Sequence, residues 1–256
     1  MHLAFDSAPH GSDRDARATI LNDALAGADD IVSRVRIIEA SIDGRIAFST
    51  SLGIEDQVLL HAIVEAGAKI EAFALDTGRH FPETYETLDR TGRLLGGRIR
   101  VVMPHGPDVE ELVARDGIFG FRDSVENRKA CCHVRKVLPL RRALQGAAAW
   151  LTGVRREQSA TRDATPFAAF DAEFGLFKIN PIADWTLERV ETYAAHHRVP
   201  VNTLHTHGFP SIGCQPCTRA VAPGEPLRAG RWWWENEDHK ECGLHNRPGF
   251  SGGAKL

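Results

Sequence analysis

Short apolar segments alternate with amphipathic segments along most of this 256-residue chain, and this alternation constrains the fold more than any other feature. Residues 45–50 and 70–77 have the character of buried strands, whereas residues 55–67 show the apolar spacing of a helix that Gly67 closes. Strands that alternate with helices favour a parallel sheet, because each helix carries the chain back to the same starting edge. The sequence therefore predicts an α/β protein with a doubly wound, mostly parallel sheet and helices on both faces.

The same alternation continues to about residue 199. Further strands are predicted at 98–104 and 148–155, and further helices at 18–40, 82–97, 108–117, 126–146 and 186–199. Residues 1–17 have the composition of a loose arm, and from about residue 200 the chain is irregular and rich in Gly, Pro, His, Trp and Cys. We expect one domain that ends in an irregular tail.

Charge and cysteine content limit the classes of function. A net charge of -3 without a long basic run disfavours nucleic-acid binding. The chain shows neither a signal peptide nor an apolar stretch of membrane-spanning length, so the sequence predicts a cytoplasmic protein that binds no membrane. Because thiols stay reduced in the cytoplasm, the five cysteines are interpreted as ligands or a nucleophile rather than as disulfides.

Three hydroxyl residues and a glycine stand between the first strand and its helix. Ser49, Thr50, Ser51 and Gly53 lie where backbone N–H groups of a helix N-terminus face outward. In an open α/β sheet this edge is also where ligands bind. The segment predicts an anion-binding loop, with a plain helix cap as the alternative.

Polar residues also follow two other strands at the same predicted edge. Asp76 and Thr77 follow the second strand and are expected to line the same pocket, with a simple turn as the alternative. Arg155, Arg156 and Arg162 follow the strand at 148–155, and guanidinium groups grip phosphate or sulfate through two hydrogen bonds. Solvated surface charge is the alternative for these arginines.

Four of the cysteines form an adjacent pair and a Cys-x-x-Cys pair: Cys131, Cys132, Cys214 and Cys217. A set of thiolates selects zinc or an iron–sulfur cluster. Adjacent thiols diverge from one backbone point, which is awkward around one tetrahedral ion, whereas a cubane offers each sulfur a separate iron. This geometry favours [4Fe-4S]. A redox dithiol, buried apolar filler and a zinc site that includes His205 or His207 are the alternatives.

The fifth cysteine stands apart, near the end of the chain. Cys242 lies beside Lys240 and His245, and cationic neighbours lower the pKa of a thiol and make it nucleophilic. A spare thiol is the alternative. Upstream, Arg228 and Arg231 precede three consecutive tryptophans, of which some must pack on the core because they cannot all face one way.

Together these motifs resemble those of the assimilatory adenylyl-sulfate reductases, which belong with the phosphoadenylyl-sulfate reductases. The resemblance is carried by FSTSLGIEDQVL, DTGRHFPET, KACCHVRKVLPL, LTGVRREQSATR, SIGCQPCTRAV and KECGLH. It runs from about residue 40 to 246, and the two cysteine motifs are its most specific part. Ile54 and His80 depart from the family pattern without replacing a chemical residue of a motif. The resemblance implies an adenine nucleotide alpha hydrolase-like fold.

The resemblance also implies a role for each motif. Adenosine 5'-phosphosulfate is expected to be held by the serine loop and three arginines: Ser49, Thr50, Ser51, Gly53, Arg155, Arg228 and Arg231. The four paired cysteines are expected to hold a [4Fe-4S] cluster, with Lys136 close to it. Cys242 is the implied nucleophile, and His245 lies close to it. The implied parts are a flexible arm (1–17), a nucleotide-binding and cluster domain (18–225) and a C-terminal catalytic tail (226–256).

The implied reaction is the reduction of adenosine 5'-phosphosulfate to sulfite and AMP, in sulfate assimilation and cysteine biosynthesis. Cys242 attacks the sulfate sulfur, AMP leaves, and a separate thioredoxin or glutaredoxin-like protein releases sulfite from the S-sulfocysteine. Three alternatives stay open: a 3'-phosphoadenylyl-sulfate reductase, an ATP-cleaving adenylase whose usual Ser-Gly-Gly-x-Asp-Ser loop is not matched here, and a non-enzymatic zinc or cluster sensor. Assembly into a homo-oligomer also stays open.

Overall fold

The computed structural model describes residues 11–94, 99–159 and 162–235. Its strands are β1 (Arg45–Thr50), β2 (Ile70–Leu75), β3 (Arg100–Val102), β4 (Ala147–Leu151), β5 (Ala168–Asp171) and β6 (Leu176–Ile179). They form one sheet in the order β3-β2-β1-β4-β6-β5. Neighbouring strands are parallel except β5 and β6, which pair antiparallel. The predicted mostly parallel sheet is confirmed.

The helices are α1 (Gly11–Ala26), α2 (Ile31–Ser41), α3 (Ile54–Ala66), α4 (Pro82–Leu94), α5 (Gly106–Asp116), α6 (Val125–Cys132), α7 (Leu138–Leu144) and α8 (Leu187–His196). The predicted helix at 18–40 is two helices, because Asp30 caps α2 by accepting a hydrogen bond from the Ser33 N–H at 2.9 Å. The predicted helix at 126–146 is continuous, but a π-helical turn (His133–Val137) joins α6 to α7.

Side chains along β1 alternate between two hydrophobic cores. Ile46 and Phe48 belong to a core that they share with α1, α2, α3 and α8, whereas Ala47 belongs to a second core with Leu140 and Leu144 of α7. Successive side chains of a strand point to opposite faces of the sheet. Helices therefore cover both faces, which confirms the doubly wound arrangement.

Helix α1 includes residues 11–17, where the sequence analysis expected a flexible arm. The helix is fixed to the sheet by Leu25, which is fully buried, and by Asn22, which exchanges two hydrogen bonds with the backbone of Ala168 at 2.7 and 3.1 Å. This part of the expected arm is helical, and the Arg14 guanidinium lies 4.3 Å from the ring centroid of Phe170, more than a hundred residues away. Residues 1–10 lie outside the described residues.

The β5–β6 hairpin was not predicted. The Asp171 carboxylate stabilises its turn by accepting hydrogen bonds from the N–H groups of Glu173 and Phe174. The chain from 200 to 235 consists of loops and short 3-10 turns, as expected. Within the described ranges, no helix has the length and apolar character needed to cross a membrane.

Candidate functional site

A cavity of about 210 Å³ opens at the carboxyl ends of β1, β2 and β4. It brings together eight of the predicted site residues: Ser49, Thr50, Ser51, Gly53, Lys136, Arg155, Arg228 and Arg231. Asp76 and Thr77 follow β2 but do not line this cavity: the Asp76 carboxylate accepts hydrogen bonds from Gly78 N–H and the Tyr85 hydroxyl. Cys242 and His245 lie outside the described residues.

The serine loop is held in place by a carboxylate that the sequence analysis did not select. Asp56 Oδ2 accepts hydrogen bonds from both the N–H and the hydroxyl of Ser51, each at 2.6 Å. Asp56 Oδ1 accepts a third bond, from the Gly153 N–H after β4 at 3.1 Å. A Cβ atom at Gly153 would lie 2.3 Å from this oxygen, so only glycine permits the approach. Asp56 therefore ties the loop after β1 to the loop after β4.

Burial raises the pKa of Asp56 to about 6, against the opposing effect of its bonds to Ser51. In the unfolded chain the carboxyl ionises near its ordinary value of 3.8, so between these values the native state holds a proton that the unfolded state has lost. The free energy of unfolding therefore falls as pH rises through this window, by about 3 kcal/mol in all and by about 1 kcal/mol between pH 5 and pH 7.

An Asp56→Asn variant should lack this contribution. We expect the free energy of unfolding of the wild type to fall relative to that of the variant as pH rises from 5 to 7. Urea unfolding of both proteins across this range measures the difference. A difference that is constant with pH would contradict the assignment of this titration to Asp56.

Arg155 lines the cavity, but its side chain is only 1% exposed and is already bound. Its guanidinium donates to Glu55 Oε1 at 2.9 and 3.2 Å, to Glu157 Oε2 at 2.9 Å and to the Trp185 carbonyl at 3.3 Å. Arg156 lies outside the cavity lining and packs over Phe167 instead. Of the three arginines after β4, Arg155 and Arg162 therefore reach the cavity.

The four paired cysteines gather beside this cavity. Cys132, Cys214 and Cys217 are buried against Phe121 and Trp232, and Cys131 packs against them half-buried. All four are free thiols that line a second cavity of about 20 Å³. The Cys214–Cys217 turn is fixed from outside, because the Gln215 N–H donates to the Arg79 carbonyl after β2 at 2.8 Å.

Cationic side chains surround the thiols. Burial opposes ionisation of Cys214, but Lys136, the Thr77 hydroxyl at 3.2 Å and Arg231 together hold the pKa of this thiol below its ordinary value. Burial and the neighbouring Cys214 raise the pKa of Cys217 to about 12. Lys136 and Arg231 line both cavities, so these two cations lie near the four thiols and also line the same cavity as the serine loop.

The four free thiols are the donor groups that a metal group would use in this region. Within the described ranges, no three His, Cys, Asp or Glu side chains are placed to hold one metal ion, and His205 Nδ1 is instead 3.0 Å from the Phe209 carbonyl. The thiols of the four paired cysteines face a shared cavity with a cationic rim. Several thiols around a cationic space fit a multi-iron cluster better than a single ion.

A buried ion pair closes the cysteine region. Arg128 on α6 is 0% exposed, Glu235 is 3% exposed, and two hydrogen bonds of 2.7 and 2.9 Å join them. Arg128 also lies over the ring of Trp232, which is buried, whereas Trp233 is exposed. The expectation that the three tryptophans face different ways is confirmed.

Comparison with known proteins identifies the family of this chain. Residues 45–220 match the family model described as the phosphoadenosine phosphosulfate reductase domain. The chain belongs to this family. Family members with the name adenosine 5'-phosphosulfate reductase include one from Agrobacterium fabrum, 53% identical over 225 residues that cover 88% of this chain and 86% of the relative. Another, from Allochromatium vinosum, is 54% identical over 202 residues and 79% of each chain.

A family member of known structure shares the fold. It is the phosphoadenylyl-sulfate (PAPS) reductase from Candida auris, solved as a phosphate complex, with a TM-score of 0.68 and 25% sequence identity. The match covers 84% of this chain and 99% of the other. The predicted fold class is thereby confirmed.

Proposed function

We propose that this family member reduces adenosine 5'-phosphosulfate to sulfite and AMP in sulfate assimilation. One observation carries the proposal: Lys136 and Arg231 line both the cavity of about 210 Å³ beside the serine loop and the cavity of about 20 Å³ that the four cysteines line. A sulfonucleotide in the large cavity would place its anionic end against these cations. The names of the relatives from Agrobacterium fabrum and Allochromatium vinosum support the same substrate.

The reaction that we propose has two steps. The Cys242 thiolate forms a bond to the sulfate sulfur while the bond from that sulfur to the phosphate oxygen breaks, and AMP leaves with the electron pair. Lys136, Arg228 and Arg231 offset the charge that develops on the leaving phosphate. A dithiol protein such as thioredoxin then attacks the Cys242 sulfur, releases sulfite and closes its own disulfide, which supplies the two electrons.

We further propose that a [4Fe-4S] cluster is held by Cys131, Cys132, Cys214 and Cys217. When bound, the cluster would supply charge beside Lys136, and Lys136 would polarise the sulfate and order the site. Cys242, His245, Arg228 and Arg231 belong to the proposed tail at 226–256, and the remaining site residues belong to the proposed domain at 18–225. The tail must admit the substrate and then expose Cys242 to the reductant.

The intact mass of the protein tests this proposal. Protein purified without oxygen is incubated with adenosine 5'-phosphosulfate in the absence of thioredoxin, and in parallel with the 3'-phosphorylated form. We expect a gain of one sulfonate group in the wild type, because no reductant is present to release it, and no gain in Cys242→Ser. If cluster-loaded wild type gains no mass with either compound, the reductase proposal fails and a sensor becomes the better interpretation.

A further inference from the structure

Arg231 is a buried arginine that has no carboxylate partner among the described residues. It lines both cavities, yet the residue is only 6% exposed. Within the described part of the chain, its guanidinium donates one hydrogen bond, from Nη1 to the Ile212 carbonyl at 3.3 Å, and its Nε is buried without an acceptor. The buried guanidinium groups of Arg128 and Arg155 are instead paired with glutamates. The positive charge of Arg231 is therefore available to an anion in either cavity.

The backbone at Arg231 is fixed to the loop that carries the second pair of cysteines. Thr218 and Arg231 form an antiparallel bridge, and the Trp232 N–H donates to the Cys217 carbonyl at 3.1 Å. From this bridge the Arg231 side chain reaches back across Gly213, the residue directly before that pair of cysteines. Both ends of the Arg231 side chain therefore contact the same loop.

Gly213 leaves the space that the guanidinium of Arg231 fills. A Cβ atom at Gly213 would lie 2.2 Å from Nη2 of Arg231, 2.5 Å from Cζ and 2.9 Å from Nη1. Atoms in a close-packed interior do not approach so closely, so an added methyl group would push the guanidinium aside. The φ angle of Gly213 is not positive. An alanine would therefore fit the backbone, and its only conflict would be with Arg231.

We propose that Gly213 is a positioning residue, which fixes the guanidinium of Arg231 between the four thiols and the substrate. The inference rests on the proposed function, in which Arg231 offsets the charge on the leaving phosphate. A close contact with glycine and one bond to a carbonyl fix the position of this cation, whereas a carboxylate partner would also neutralise it. A displacement of about 1 Å in such a group can lower the rate of reaction about 100-fold.

A double-mutant cycle tests whether Gly213 acts through Arg231. Gly213→Ala, Arg231→Met and the double variant are prepared with the cluster loaded, and visible absorption measures how much cluster each retains. Calorimetry then measures the affinity for AMP, which binds without turnover. We expect Gly213→Ala to weaken AMP binding at least about tenfold in the wild type but less than about twofold in Arg231→Met, because no guanidinium remains to be displaced.

Two further variants complete the test. Arg231→Lys keeps the charge but lacks the two terminal nitrogens that a methyl group at Gly213 would meet, so Gly213→Ala should weaken AMP binding less in this background than in the wild type. Gly106→Ala is the control for the glycine. Gly106 is exposed at the start of α5, and a Cβ atom there would meet no atom within 4 Å, so AMP affinity should stay as in the wild type.

The outcomes separate this inference from the proposed function. Unchanged AMP affinity in Gly213→Ala, or an equal loss in the wild type and in Arg231→Met, would overturn the role of Gly213. Loss of the cluster from Gly213→Ala and from the double variant alike would also overturn it, whereas loss that Arg231→Met prevents would support it. If the cycle behaves as expected but Cys242 gains no sulfonate, the positioning role stands and the reductase proposal fails.

Discussion

Replacing Lys136 with alanine is expected to lower kcat/KM for adenosine 5'-phosphosulfate at least about 100-fold, because removal of one pre-positioned charge stabiliser commonly costs that much. Lys136 lines both cavities and is the first of the cations that lower the pKa of Cys214. In the proposed reaction its ammonium group acts on the reacting sulfate. Steady-state kinetics with thioredoxin as reductant measure the effect, and visible absorption shows whether the cluster is retained.

The control for this prediction lies seven positions earlier in the chain. Lys129 on α6 is exposed and lines neither cavity, so Lys129→Ala should keep nearly all of the activity. Lys136→Arg keeps the charge and should recover part of the loss. Unchanged activity in Lys136→Ala would remove Lys136 from the mechanism, and loss of the cluster absorption would show a structural role instead.

Replacing Glu235 with glutamine is expected to lower the free energy of unfolding by about 3 to 5 kcal/mol, the usual cost of leaving one partner of a buried ion pair unpaired. The pair that Glu235 forms with Arg128 is almost completely buried, so water cannot replace the lost carboxylate. Arg128 is on the same helix as Cys131 and Cys132 and lies over Trp232. The variant should therefore also loosen the region around the thiols.

Chemical unfolding of the cluster-loaded protein under anaerobic conditions measures this loss. Glu173→Gln is the matched control, because Glu173 pairs with Arg141 at the surface, where the two side chains are 48% and 44% exposed. An exposed pair of this kind contributes about 0 to 1 kcal/mol. Similar losses in the two variants would show that burial of the Arg128–Glu235 pair does not determine its contribution.

Periodicity in the sequence was sufficient to predict most of the sheet and helices, because long buried segments leave a clear pattern. The β5–β6 hairpin was not predicted because its four-residue strands, AAFD and LFKI, contain only one β-branched residue, whereas the equally short β3 contains two valines. The π-helical turn was also not predicted, because the apolar spacing of residues 126–146 is that of an ordinary α-helix. This turn contains both Arg135, which donates to the Thr77 carbonyl at 2.7 Å, and Lys136.

The candidate site was predictable in its residue types but not in their pairing. The serine loop and the cysteines stand in short motifs whose chemistry is local. The partner of Arg155 is Glu55, 100 positions earlier in the chain, and Asp56 meets Gly153 across 97 positions. One sequence does not show which distant charges meet. Arg155 was therefore predicted to bind a ligand anion, whereas in the structure its guanidinium is bound to Glu55 and Glu157.

The hydrogen bond between Thr77 and Cys214 joins positions 137 residues apart, so it can form only after most of the chain has been synthesised. Contacts of such long range form late, because the intervening chain must first be closed into a loop. Cys131 and Cys132 are synthesised well before Cys214 and Cys217, so the four thiols cannot be brought together until the later pair has left the ribosome. The four ligands of the proposed cluster therefore come together only as the sheet folds, in contrast to a zinc finger, where the metal drives folding.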